Sequence, residues 1–162
     1  MKGDSRLIEG LNEILMGELT GINQYFIHAM MCQNWGFLLL AEKIRAESIS
    51  EMNHAELIIE RILHLEGVPN LTRLEKLRVG ERVPDQLQSD LEVENLAIGR
   101  FNRLIRVAAE LGDNGTRRML EEMLASEEEH QHWLESQLEL IRQVGEPNYL
   151  ARQIGQAESQ AK

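Results

Sequence analysis

The chain has 162 residues, a length that fits one ordinary domain. Ala, Leu, Glu, Lys and Arg provide nearly half of these residues, as in proteins built from long helices, and Val and Thr together number only nine. A β-sandwich or β-barrel needs many β-branched residues and frequent turns, so that class is nearly excluded. The net charge is −10, which removes the electrostatic footprint expected of a protein that binds nucleic acid or an anionic membrane.

Cysteine usage and the apolar runs bound the cellular context. Cys32 is the only cysteine, so the chain forms no intrachain disulfide and no cysteine-based zinc or iron–sulfur site. The first residues are polar and lead into an amphipathic pattern, unlike a signal sequence. The longest apolar run, residues 36–41, is far shorter than the roughly 20 residues of a membrane span. We expect a soluble, cytoplasmic protein.

Four long amphipathic patterns predict four helices. The first runs over about residues 5–34 and the second over about 37–66, where Gly67 begins a stop. The third starts near Pro84, and the fourth covers about 116–144 after a tight turn at residues 112–115. A short fifth helix is expected over about 148–157.

The lengths of the connections predict the topology. Two short turns make two antiparallel helix pairs, and the long middle connection can cross the length of the bundle, so that helices two and three run parallel. We therefore predict one all-α domain over residues 1–162, with a four-helix bundle at about 5–144, one long crossover and a short fifth helix.

Each long helix carries one glutamate within its apolar stripe. A carboxylate is rarely buried unless it is paired or coordinates a cation, because removing its water is expensive. A single inward glutamate could be a partly exposed edge residue, but four, one per helix, indicate a shared partner of positive charge. These residues are Glu18, Glu51, Glu94 and Glu127.

Two of these glutamates begin a Glu-x-x-His motif, Glu51 with His54 and Glu127 with His130. Residues three apart share a helix face, so both side chains of each motif reach one point. Carboxylate plus imidazole is a fitting ligand set for iron or manganese. A third such pair, Glu129 with His132, falls on a polar face, and we expect it to be solvated.

The spacings of the six residues agree with one another. Adding 76 to the first three positions gives the other three, so one helical hairpin recurs with its candidate ligands in equivalent places. The sets are Glu18, Glu51 and His54, then Glu94, Glu127 and His130. A glutamate from each of two helices and Glu-x-x-His from each of the others is the arrangement of di-iron and di-manganese carboxylate bundles. Without metal, some of these carboxyl groups should be protonated.

The sequence around these residues resembles that of the bacterioferritins, the haem-containing bacterial branch of the ferritins, over nearly the whole chain. The matching segments are Met1–Asp4, Ile22–Phe26 with His28, Asn34–Gly36, Glu47–Ile49, Glu51–Ala55, Glu60–Leu71, Glu127–His130, Trp133–Glu135 and Asn148–Leu150.

The resemblance implies a ferritin-like fold and a ferroxidase centre. Glu18 and His54 would bind one iron, Glu94 and His130 the other, and the remaining glutamates, Glu51 and Glu127, would bridge. The implied reaction is oxidation of Fe²⁺ by O₂ or H₂O₂, followed by storage as a ferric mineral. The implied assembly is a 24-subunit shell built from twofold dimers, in which the fifth helix lines a fourfold channel. The implied partner for iron release is a ferredoxin-type reductant.

The resemblance also implies haem b at the twofold interface, bound by Met52 from each of two subunits. Met52 lies about 100° around the helix from Glu51, so it can face a partner while Glu51 faces the bundle. Taken alone, Met52 would more often be a packing residue. Positions matching the family's haem pocket are Leu19, Ile22, Asn23, Phe26, Ile49 and Leu71.

The sequence departs from the family at two places. Ala46 and Ser50 replace residues that serve an additional inner-wall iron site in several bacterioferritins, so we expect that site to be missing or weak, with Glu47 alone remaining. Ile58 replaces a tyrosine of some members. Tyr25 and Trp133 remain near the predicted centre, either as electron relays or as core residues with a hydrogen bond.

Two other functions stay open. One is a different di-iron oxidase or peroxidase on the same bundle; rubrerythrin-like versions usually add a cysteine-rich electron-transfer domain, which these 162 residues do not contain. The other is one subunit type of a mixed ferritin cage.

Overall fold

A computed structural model describes residues 1–155 and contains five helices. They are α1 (Ser5–Asn34), α2 (Leu38–His64), α3 (Val83–Glu110), α4 (Asn114–Val144) and α5 (Glu146–Ala151). No strand occurs within the described residues, and the predicted all-α bundle with a short fifth helix is confirmed. Over the same span, no helix combines the length and the apolar character needed to cross a membrane.

The helix directions follow from contacts at one end of the bundle. Gly3 N donates to Leu65 O at 2.9 Å, so α1 begins where α2 ends and the two are antiparallel. Arg61, in the last turn of α2, binds Asp113 in the α3–α4 turn at 2.8 Å. The helices α2 and α3 therefore end together and run parallel, joined by a crossover over residues 65–82. Helix α1 packs along α2 and α3, and α3 along α4, whereas α2 and α4 lie less closely together.

The α3–α4 turn is shorter than the sequence predicts. The Asp113 side chain accepts a hydrogen bond from Thr116 N at 3.0 Å and caps α4. Because this cap satisfies a free N–H group of the first turn, Asn114 and Gly115 belong to the helix rather than to the turn.

The helix α2 also ends earlier than the sequence predicts. The helix stops at His64, and Glu66 takes the left-handed conformation, with φ at 61°. Gly67 N donates to Ile62 O at 2.9 Å and closes the terminus. Glu66, and not Gly67, takes the left-handed conformation, so the glycine at position 67 is required by packing: a Cβ atom there would lie 2.8 Å from Ile8 Cγ2.

The fifth helix, α5, is shorter than expected. It begins at Glu146, after Gly145 with φ at 86°, and ends at Ala151, and residues 152–155 form a turn and bend. Residues 156 and 157 of the predicted helix lie outside the described residues. Tyr149 is buried and donates to Gln137 Oε1 at 2.8 Å, which fixes α5 against α4.

Two apolar clusters fill the bundle, one at each end, and leave a polar layer between them. The first holds buried residues of all four long helices, among them Leu11, Leu15, Ile58, Phe101 and Leu120. The second holds Tyr25, Leu40, Ile44, Leu87, Leu134 and Tyr149 among others. On α1, Glu18 falls between Leu15 of one cluster and Tyr25 of the other, so the polar layer lies at mid-length.

The crossover is fastened to α1 by three side chains spaced four residues apart. Each accepts a hydrogen bond from a crossover N–H group: Thr20 from Glu75 at 3.0 Å, Gln24 from Arg78 at 3.0 Å, and His28 from Gly80 at 3.1 Å. Because an extended segment has no internal partners for these groups, the α1 side chains supply them.

Asp90 of α3 completes this network in the interior. Its Oδ1 atom accepts a hydrogen bond from Gln24 at 2.9 Å and lies 2.8 Å from His28 Nδ1. Since His28 Nε2 accepts from Gly80, the proton of the neutral ring belongs on Nδ1, which donates to Asp90. His28 is fully buried and anchors the crossover from the interior.

Candidate metal centre

The six residues singled out by the sequence meet in the polar layer of the bundle. Each is less than one tenth exposed. Two overlapping groups bring potential ligand atoms within 4.8 Å of one another: Glu18, Glu51, His54 and Glu127 in one, Glu51, Glu94 and His130 in the other. Glu51 belongs to both groups, so the arrangement can hold two neighbouring cations.

Around His54, three carboxylates approach one ring nitrogen. Nδ1 lies 3.0 Å from Glu127 Oε1, 3.4 Å from Glu51 Oε2 and 3.6 Å from Glu18 Oε2. These groups come from α1, α2 and α4, so the first group joins three helices. Every donor is oxygen or imidazole nitrogen, the set that suits iron or manganese.

Around His130, the contacts are tighter. Nδ1 lies 2.7 Å from Glu94 Oε1, and the same oxygen accepts a hydrogen bond from Tyr25 Oη at 2.5 Å. The Tyr25 ring meets the His130 ring edge-on at a centroid distance of 5.3 Å, and the Trp133 ring stacks on the His130 ring at 6.2 Å. The imidazole is thereby held with Nδ1 toward the cluster.

Several buried carboxylate oxygens have no hydrogen-bond partner in the described part of the chain. They are both oxygens of Glu18 and Oε2 of Glu94. A buried acceptor left without a donor carries an uncompensated desolvation cost of about 1–3 kcal/mol, and more when it is charged. All three oxygens lie in the cluster, so a cation bound there would remove the deficit.

The pKa values show the same excess of negative charge. Burial raises the pKa of Glu18 and of Glu127, and burial together with Glu127 raises the pKa of Glu94 to about 8. Burial acts to lower the pKa of His54, but Glu127 and Glu18 outweigh it and raise the value to about 10. The metal-free cluster therefore holds protons that a cation would displace.

At the positions of the additional inner-wall iron site, which we expect to be missing or weak, the side chains present a poor ligand set. Ala46 is exposed and has no ligand atom, and Ser50 is half-buried. Glu47 instead lies close to the cluster, with Oε2 at 3.5 Å from His130 Nδ1.

Met52 points away from the cluster, as its position on α2 predicts. Its side chain is 55% exposed and lines a groove of about 320 Å³ between α1 and α2, together with Ile22, Asn23, Phe26 and Ile49. Phe26 and Ile49 are also about half exposed, so the chain presents an open apolar groove around a sulfur atom. An exposed apolar surface with a soft donor is compatible with a haem face.

Gln24, His28 and Asp90 form a hydrogen-bonded network beside the cluster that the helical pattern does not predict. The four-residue spacing of Thr20, Gln24 and His28 was available as a signal, since it places polar groups on one face of α1. Thr20, Gln24 and His28 bind backbone N–H groups of the crossover. The path of the crossover cannot be predicted from a helical pattern.

Comparisons with known proteins agree with this fold. Residues 8–144 match the ferritin-like domain family. A bacterioferritin of Mycobacterium leprae is 45% identical over 98% of this chain and all of its own length. Bacterioferritins of Streptomyces coelicolor and Brucella melitensis are 47% and 41% identical, over 98% and 92% of this chain and 95% and 92% of their own lengths.

The bundle with its carboxylate and imidazole cluster therefore defines a ferritin-like protein. Within that class, the chain belongs to the bacterioferritin family, and the resemblance seen in the sequence is confirmed.

Proposed function

We propose that this protein is an iron-storage ferroxidase with its centre at the six clustered residues. The observation that carries the proposal is a set of buried oxygens on Glu18 and Glu94 that have no hydrogen-bond partner among residues 1–155, within a cluster of four carboxylates and two imidazoles. Four carboxylates balance the charge of two divalent ions, and Fe²⁺ is the substrate that the family resemblance suggests.

We assign one Fe²⁺ to Glu18 and His54 and a second to Glu94 and His130, with Glu51 and Glu127 bridging. Each Fe²⁺ supplies one electron, and O₂ takes up two electrons and two protons to become H₂O₂, which can serve as a further oxidant. The protein residues hold the two ions together and give up the protons that occupy Glu94 and His54 before binding. Tyr25 and Trp133 keep the His130 ring in place.

Rapid mixing of the metal-free protein with Fe²⁺ and O₂ tests this assignment. We expect a fast oxidation phase in the natural protein that is lost in Glu51→Ala and in His130→Ala. Glu56→Ala is a matched control, because Glu56 lies on the same helix as Glu51 but is exposed. Oxidation at the natural rate in both cluster variants would refute the assignment.

We further propose that Met52 binds haem b between two copies of the chain. The groove between α1 and α2 supplies apolar walls and one sulfur, and a twofold-related copy would supply the second wall and the second sulfur. Leu19 and Leu71 match the remaining family positions, and Leu71 is exposed. Met52→Leu should lose the haem absorption band and keep assembly and iron oxidation; retained haem with two sulfur ligands would contradict this role.

The assembly and its setting are also inferred from the family. We propose a 24-subunit shell of twofold dimers that stores ferric mineral in the cytoplasm, with α5 lining a fourfold channel. A ferredoxin-type reductant would drive iron release, and a second type of ferritin subunit can take part in the same shell. Light scattering of the purified protein tests the shell directly, and a mass near that of 24 chains supports it. A stable monomer or small oligomer that, in a separate assay, reduces peroxide without retaining iron favours a different di-iron enzyme.

A further inference from the structure

A groove between α2 and α4 leads to the back of the candidate centre. It has a volume of about 470 Å³, and its lining includes Lys43, Glu47, Trp133 and the otherwise buried His130. These two helices are the less closely packed neighbours of the bundle. The groove thus reaches a centre residue without crossing either apolar cluster.

Glu47 connects the groove to the centre. Its Oε1 atom lies 2.9 Å from Lys43 Nζ, and its Oε2 atom lies 3.5 Å from His130 Nδ1. The Glu47 side chain is only 15% exposed. The carboxylate therefore faces an ammonium group on one side and a candidate metal ligand on the other.

Lys43 is held at this position by a second contact. Its Nζ atom lies 5.2 Å from the ring centre of Trp133, which stacks on His130. A cation over an indole face is attracted by the ring as well as by the carboxylate. Lys43 is 41% exposed, so its ammonium group can leave for water without disturbing the core.

We propose that Lys43 is a built-in competitor for the cation that Glu47 would otherwise bind. A divalent metal ion moving between the groove and His130 takes the Glu47 carboxylate by displacing the Lys43 ammonium group into water. The exchange replaces one cation by another and requires no redox step. This inference rests on the proposed function, because it assigns to Glu47 and Lys43 a role in supplying that same centre.

The pair differs from the ordinary surface ion pairs of the bundle. Arg118 and Glu122 on α4 have the same spacing of four residues, but their side chains are 83% and 69% exposed. A pair of that kind contributes little in water. Arg118 thus offers a matched control, equal in charge and spacing and without a contact to the centre.

The test measures binding of Co²⁺, which O₂ does not oxidise under these conditions, to the metal-free assembled protein. Trp35→Phe leaves Trp133 as the only tryptophan, and its fluorescence in a stopped-flow instrument reports binding beside His130. Lys43→Gln should raise the association rate roughly two- to fivefold, about the worth of a partly exposed ion pair. Lys43→Arg and Arg118→Gln should leave the rate near that of the parent.

Glu47→Gln separates direct competition from a general effect of charge. It should slow association, and adding Lys43→Gln to it should change nothing further, because the competed group is gone. An equal acceleration by Lys43→Gln in both backgrounds, or none in either, overturns the inference. Parent protein that binds no Co²⁺ in the cluster overturns the proposed function itself, whereas normal binding with identical variant rates overturns the competition alone.

Discussion

The hydroxyl group of Tyr25 donates a hydrogen bond to Glu94, with Oη 2.5 Å from Oε1, and both side chains are buried. The same oxygen lies 2.7 Å from His130 Nδ1, while the other oxygen of Glu94 has no partner among the described residues. Tyr25 therefore orients the carboxylate so that one oxygen stays available to a cation.

Above pH 8, where Glu94 is ionised, Tyr25→Phe should lower the stability of the metal-free protein by about 1.5–3 kcal/mol, the range for a hydrogen bond to a charged group. Denaturant unfolding at fixed protein concentration measures this change. Tyr149→Phe is the matched control, because Tyr149 is equally buried but donates to the neutral Gln137, and it should cost about 1 kcal/mol. Equal losses in both variants would show that the charge of Glu94 is not involved.

Metal binding should release protons. At pH 7 the pKa values of Glu94, about 8, and His54, about 10, leave both groups protonated in the metal-free protein, and both must lose the proton to become ligands. Zn²⁺ titration in buffers of different ionisation enthalpy measures the release, and affinity should rise with pH through this range. An affinity that does not change with pH would contradict it.

The same groups predict how metal-free stability depends on pH. Both pKa values are raised on folding, so the folded state holds more protons than the unfolded one. The contribution of Glu94 to the free energy of unfolding is present below pH 4.5 and is lost as the pH rises through about 8. The contribution of His54 is present below pH 6.5 and is lost as the pH rises through about 10. Thermal unfolding of the metal-free protein should therefore show decreasing stability between pH 6.5 and 8, and Zn²⁺ should stabilise it more at the upper end. A stability that increases over that interval would be inconsistent with a proton-filled cluster.

The hydrogen bonds from the crossover to α1 predict a local effect on hydrogen exchange. Thr20→Val keeps the shape of the side chain but removes the acceptor of Glu75 N–H, so exchange at Glu75 should accelerate while Gly80 N–H, bound to His28, stays protected. Amide exchange followed by mass spectrometry, at peptide resolution, measures both. Uniform acceleration along the crossover would mean that it opens as one unit rather than anchor by anchor.

Gly80 should tolerate no side chain, for a reason of packing rather than of backbone conformation. A Cβ atom there would lie 2.4 Å from Gln86 N, so Gly80→Ala must move the start of α3 and should cost about 1–3 kcal/mol. Gly36→Ala provides the contrast: the φ of 88° at Gly36 is unfavourable to alanine by about 1–2 kcal/mol, but no atom of the described residues lies within 4 Å of the added Cβ. Exchange at the crossover should increase only in Gly80→Ala, and unchanged exchange there would contradict the close approach.

The convergence of the six centre residues could be predicted because their signal is periodic. Glu18, Glu51, Glu94 and Glu127 interrupt apolar stripes, and the offset of 76 residues repeats the whole hairpin. The structure brings the side chains together as that pattern predicts, and their role as iron ligands stays a prediction.

The surroundings of the centre could not be predicted in the same way. His28 and Gln24 are polar residues on a helix, a pattern typical of a solvated face, and only the path of the crossover turns that face into the interior. The capping of α4 by Asp113 likewise depends on Arg61, which is distant in sequence and fixes the carboxylate at 2.8 Å. Contacts between distant segments decide both cases.

Anomalous diffraction at the iron absorption edge, from crystals of the protein loaded with Fe²⁺ without oxygen, is the decisive test of the six-residue metal centre. We expect two anomalous peaks per chain inside the bundle, one beside Glu18 and His54 and one beside Glu94 and His130, with Glu51 and Glu127 in contact with both. Crystals that contain iron elsewhere but show no peak among these six residues would contradict it.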